Sequence, residues 1–113
     1  MEVKDKIIIS KDFSDSPGAR YRLDGPNSAQ QFLEEHLLTK FEKAVEGDYI
    51  LEIDLDGVMG YPSSFISGSF GKLSLLKGSK IILKHLRFIS LESKTRLDAF
   101  INEINKPKKG KHD

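Results

Sequence analysis

The sequence predicts a single α/β domain with about four strands in a mixed sheet and three helices, in the order β-β-α-β-α-β-α. Three observations carry that prediction. Short β-branched runs alternate with segments of helical apolar spacing. The junctions between them are dense in glycine, proline, aspartate and serine. The length, 113 residues, suits one modest hydrophobic core.

The first strand is residues 6–10, Lys-Ile-Ile-Ile-Ser, whose branched side chains suit a pleated, half-buried surface. Residues 12–18 concentrate turn formers and read as a loop. Residues 20–24, Arg-Tyr-Arg-Leu-Asp, alternate weakly and read as an edge strand ended by Gly25 and Pro26. Ser28 and Gln31 have the spacing of a capping box. Ala29, Phe32, Leu33, Leu37, Phe41, Ala44 and Val45 follow at helical spacing, which predicts an amphipathic helix over 28–45, stopped at Gly47.

Residues 49–55 make the next strand, with Tyr49, Leu51, Ile53 and Leu55 on one face and Ile50, Glu52 and Asp54 on the other. A second helix, about 64–76, turns Phe65, Phe70 and Leu73 toward the core. Gly68 and Gly71 weaken that helix by about 1 kcal/mol each relative to alanine, and allow close approach of a sheet or a partner. Residues 79–84, Ser-Lys-Ile-Ile-Leu-Lys, read as a central strand. The third helix is 91–105, with Leu97, Phe100, Ile101 and Ile104 three and four apart. One domain, 1–105, is followed by a disordered basic tail, 106–113.

Apolar residues are 38% of the chain and charged residues 31%, as in soluble globular proteins. With no cysteine there is no disulfide framework and no thiolate chemistry, and a cytoplasmic location is expected. No apolar run approaches the roughly 18 residues that span a membrane. The tail carries +3 against a formal net charge of +1, so the body stands at −2. An acidic body argues against a nucleic-acid-binding surface, and the tail reads first as a solvated charge run.

The functional signal is concentrated between residues 51 and 73. A strand ends at Asp54 and Asp56, a loop with Gly57 and Gly60 follows, and Ser63-Ser64 stand where a helix begins. Hydroxyls at a helix start just past a strand end lie where anions are favoured. As a plain N-cap, Ser64 would stabilise the helix by about 1 kcal/mol. As a modification site it would take a phosphate of about −1.5 to −2 charge, which a helix N-terminus tolerates. The alternative is an anion- or nucleotide-binding module using the same helix start.

The catalytic readings are weak. Asp54 and Asp56 lack a third metal ligand, and no pair among His36, His85 and His112 has metal-ligand spacing. A Ser64–His85–Asp54 arrangement can be drawn, but the segment lacks a nucleophile elbow. No Gly-rich nucleotide fingerprint is present. A non-enzymatic role without metal or cofactor is expected.

The pattern Lys11-Asp-Phe-Ser14, Pro17-Gly-Ala-Arg-Tyr21, Asp24-Gly-Pro-Asn-Ser28, Asp54-Leu-Asp-Gly57, Gly60-Tyr-Pro-Ser-Ser-Phe65 and Phe70-Gly-Lys-Leu73 resembles the small bacterial STAS-like proteins, relatives of anti-anti-sigma factors. The resemblance runs from about 7 to 105 and implies a small STAS-like sandwich. It also implies a regulatory, protein-binding role, with a histidine-kinase-like ATPase as partner. By position the phosphorylated serine of anti-anti-sigma factors maps to Ser64, with Ser63 beside it. Asp54, Asp56, Gly57, Phe65, Ile66 and Ser67 are then the expected partner contacts, although Phe65 also reads as core. The chain departs from the anti-anti-sigma pattern at Pro62, where those proteins carry aspartate, and at Phe65, where they carry glycine.

Overall fold

A computed structural model describes residues 1–112. Asp113, the last residue of the expected tail, lies outside the described residues. Three strands, β1 (Val3–Ile8), β2 (Ile50–Asp54) and β3 (Leu86–Ile89), form a parallel sheet in the order β1-β2-β3. The register aligns Ile7 with Ile53 and Ile53 with Phe88. Ile7, Leu51, Ile53 and Leu86 belong to the core, and Phe88 packs against it. The neighbouring rung, Lys6, Glu52 and Arg87, faces the other way and holds a Lys6–Glu52 ion pair at 3.4 Å.

Helix α1 (29–47) connects β1 to β2. Helices α2 (63–77) and α3 (Ser79–His85) connect β2 to β3, and α4 (Lys94–Asn105) follows. Single helical turns at Ile9–Phe13 and Arg22–Asp24 complete the described elements. α1 begins as its sequence predicts, with the Ser28 hydroxyl accepting the Gln31 amide, and it ends where Asp48 turns left-handed at φ 56°. Both α1 and α2 contain one wide, π-type turn, at Leu33–Leu37 and Ser67–Gly71.

The α/β class holds, but two predicted strands do not form: among the described residues the sheet is three-stranded and parallel rather than four-stranded and mixed, and the helices number more than the three expected. Residues 20–24 are not an edge strand. The carbonyls of Ala19 and Arg20 accept the Ala29 and Gln30 amides at 2.8 and 3.0 Å, so this segment satisfies the exposed first turn of α1 instead of pairing in a sheet. Its Arg22 reaches Glu34 and Glu35 of the same helix.

Residues 79–84 are helical, and the strand starts later, at Leu86. The helix turns Ile82 and His85 inward, three residues apart, and leaves Lys80, Leu83 and Lys84 outside. Helical packing thus overrides the β preference of Ile81-Ile82. The last helix starts at Lys94, not at residue 91, because Ser93 caps it through the Arg96 amide at 3.1 Å.

An aromatic column joins the layers. Phe70 on α2 lies 5.9 Å from Phe32 on α1, 5.4 Å from Phe88 on β3 and 5.2 Å from Phe100 on α4, between ring centroids. The close approach of α2 to α1 needs Gly68, because a Cβ there would stand 2.8 Å from that of Ala29. The glycine that weakens α2 as a helix is what lets it pack against α1.

Candidate functional site

In a parallel sheet all strands finish at one end, and here that end holds two loops fastened to each other. β2 leads into 55–62 and β3 leads into 90–93. Asp54 accepts the Asp56 amide at 2.9 Å, an Asx turn that aims Asp56 sideways. The Asp56 carboxylate accepts the Leu91 and Glu92 amides at 2.9 and 3.1 Å. Glu92 returns the contact by accepting the Gly57 amide at 2.7 Å. Gly57 holds φ +81° with Ser10 against it, so both conformation and space call for glycine.

Arg96 on α4 closes the clamp by donating to the carbonyls of Val58 and Met59 at 2.9 and 3.2 Å. Its guanidinium also lies over the Tyr61 ring, 5.5 Å from the centroid. The Tyr61 hydroxyl donates to the Leu55 carbonyl at 2.9 Å, and burial holds its pKa well above the ordinary phenol value against the opposing pull of Arg96. Two large apolar side chains stand out from these fixed loops, Met59 at 81% and Leu91 at 90% exposure.

α2 starts at this end. Pro62 occupies the N-cap position and its carbonyl accepts the Phe65 amide at 3.0 Å, but no side chain caps the helix. Ser63 is exposed and Ser64 half-buried, and neither hydroxyl has a partner among the described residues. Ser63 also lines a groove of about 340 Å³ between α2 and α4, together with Ile66, Asn102, Glu103, Lys106 and Lys108.

The predicted site residues divide sharply. Ser63 and Ser64 are placed as the sequence indicates, at a helix start beyond a strand end, though as its first two residues and not as its cap. Asp54, Asp56 and Gly57 are brought together, with their polar groups spent on fastening one loop to the other. Phe65, Ile66 and Ser67 are buried side chains and do not stand on the strand-end rim. Phe65 packs against Phe32 at 5.6 Å, Ile66 is core, and the Ser67 hydroxyl is held between Arg20 and the Lys108 carbonyl. The helix turns all three inward because its first turn is anchored by packing.

His85 precedes β3 and so lies at the opposite end of the sheet from Ser64. Its Nδ1 is engaged by the Tyr49 carbonyl at 2.9 Å, and no Ser64–His85–Asp54 arrangement forms. Among the described residues no group of three His, Asp or Glu side chains is disposed to hold a metal. No helix among them is long and apolar enough to cross a membrane.

Glu92, Arg96, Tyr61, Met59 and Leu91 are not among the residues that the sequence singles out. Tyr61 stands in the Gly60-Tyr-Pro stretch, where an aromatic beside a glycine is a visible signal. Glu92 and Arg96 fall within the helix predicted from residue 91, which hides their part in the loop.

No curated protein and no solved structure matches the chain. The family described as a STAS-like domain of unknown function matches over residues 28–96, which takes in α1, β2, the clamped loops and α2, and the chain therefore belongs to the STAS-like family.

Proposed function

We propose that this STAS-like domain is a non-enzymatic, cytoplasmic regulatory module that docks a partner protein on its strand-end loops and is switched at Ser63-Ser64. The observation that carries the reading is the pair Met59 and Leu91, exposed on loops that Asp56, Glu92 and Arg96 hold rigid, beside two serine hydroxyls with no structural duty. Exposed apolar anchors on a preorganised rim lose little conformational freedom on binding. A phosphate at the first turn of α2 is compatible with the helix and adds negative charge next to a rim that carries Asp54, Asp56 and Glu92. It would repel an acidic partner surface. Resemblance to anti-anti-sigma factors makes a histidine-kinase-like ATPase the partner to look for.

Capture from native lysate tests this reading. A kinase-like ATPase is retained by the wild-type chain and its affinity falls more than tenfold with Ser64→Asp or Ser63→Asp. Met59→Asp combined with Leu91→Asp abolishes retention. Undiminished retention by that double variant rules out the strand-end face as the docking surface.

A second reading rests on the groove that Ser63 shares with Lys106 and Lys108, two cations without an ion pair among the described residues. It makes the domain an anion or nucleotide receptor. Calorimetry against purine nucleotides tests it, and the absence of heat at millimolar ligand ends it.

A further inference from the structure

Residues 106–112 leave α4 and run back over α2 toward Tyr21 without forming helix or strand. They touch the domain at every second residue. The Lys108 amide donates to the Glu103 carboxylate at 2.8 Å, and the Lys108 carbonyl accepts from Ser67 at 3.2 Å. At Gly110 a Cβ would run into the Tyr21 hydroxyl and the Arg20 side chain. The His112 amide donates to the Tyr21 hydroxyl at 2.8 Å, and the two rings meet edge-on at 4.8 Å. Lys109 and Lys111, between these points, are exposed.

The four lysines of the segment do not supply that attachment, since Lys106, Lys108, Lys109 and Lys111 make no ion pair among the described residues. Two main-chain amides and one carbonyl make it, and Gly110 passes close against the ends of the Tyr21 and Arg20 side chains, contacts of the kind by which a peptide backbone is received. The seat has its own making. Ser67 and Gly68 are small residues on α2, buried beneath neighbours, and Tyr21 projects from the turn that serves α1.

We propose that the seat formed by Tyr21, Ser67, Gly68 and Glu103 is a binding groove for the main chain of a short extended peptide with a central glycine, kept closed by this chain's own segment 106–112. The tether gives that segment a high effective concentration, so it excludes an equivalent peptide until it is displaced. The groove is separate from the strand-end loops, and the inference stands whether or not those loops bind a partner.

Gly110→Val in the 113-residue chain crowds the Tyr21 hydroxyl and the Arg20 side chain, far from the core, and is expected to loosen segment 106–112. A fluorescent peptide of residues 105–112, Asn-Lys-Pro-Lys-Lys-Gly-Lys-His, then binds Gly110→Val at least tenfold more tightly than it binds the wild-type chain. The same peptide carrying valine for glycine binds neither. In parallel, the Lys108 and His112 amides exchange at least tenfold more slowly in the wild-type chain than in Gly110→Val. Equal binding to both chains, or to neither while Gly110→Val keeps the wild-type Tm, overturns the proposal. Unprotected Lys108 and His112 amides in the wild-type chain overturn it as well.

Discussion

At the start of α1 the Ser28 hydroxyl is wholly buried and accepts the Gln31 amide at 3.0 Å. At the start of α2, Ser63 and Ser64 lie within the first turn with their hydroxyls unengaged, and the cap position is taken by a proline that has no side-chain acceptor. α4 follows the first pattern, through Ser93. Two helices therefore use serine as structure, and the helix that faces the strand-end loops has serine to spare. What replaces the cap in α2 is packing. Phe65, directly after the serines, is fully buried against Phe32, Phe13 and Tyr61. The difference separates stability from chemistry within three consecutive residues, and substitutions can probe each side of it.

The largest effect belongs to the anchor. Phe65→Ala should destabilise the fold by about 3–5 kcal/mol, the range for deleting a buried phenyl ring. Denaturant unfolding measures it. A cost below about 1 kcal/mol would mean that the first turn of α2 is not held by packing, and the contrast with α1 would lose its cause.

Next comes the cap. Ser28→Ala removes an acceptor that is buried, so its cost belongs toward the upper part of the range of about 0.5–2 kcal/mol seen for N-cap deletions. The same unfolding experiment reads it. An Asp at this position would be no rescue, because its charge would be fully buried.

Tyr61→Phe probes the loop that leads into α2. At neutral pH it loses the hydrogen bond to the Leu55 carbonyl, about 1 kcal/mol. Burial raises the folded-state pKa of this phenol above its ordinary value near 10, so its contribution is complete below pH 10 and is lost as pH rises toward the folded value. Tm of the wild-type chain should therefore fall more steeply above pH 10 than that of Tyr61→Phe. Parallel curves would show that the phenol titrates as freely as in the unfolded chain.

How far the sequence reveals these features depends on the range of the interactions. The Ser28 cap, the α1 periodicity and the position of Ser63-Ser64 after a strand end are local, and local spacing displays them. The helix at Ser79–His85 is not, because only the cavity that receives Ile82 and His85 makes a helix of a β-branched run. Residues 20–24 fail as a strand for a similar reason, since the α1 amides claim their carbonyls. The clamp is the least legible part. Asp56 meets Leu91 and Glu92 across 35 and 36 residues of chain, and nothing local in residues 90–96 marks them as its partners. Glycine told half its meaning: Gly68 advertised a close approach, and only the fold shows that the approaching body is Ala29.

The smallest expected effect is the one on which the contrast depends most. Ser63→Ala and Ser64→Ala should each change stability by no more than about 0.5 kcal/mol, as for surface substitutions away from any specific contact. Neither hydroxyl completes a hydrogen bond among the described residues, and alanine is the better helix former at both positions. Slight stabilisation is within that expectation. A loss above about 1 kcal/mol at either position would mean that its hydroxyl reaches an amide of the first turn in solution. That serine would then be doing the work of Ser28. Its neighbour would then hold the one free, modifiable hydroxyl of the pair, and neither serine would hold one if both variants lost that much.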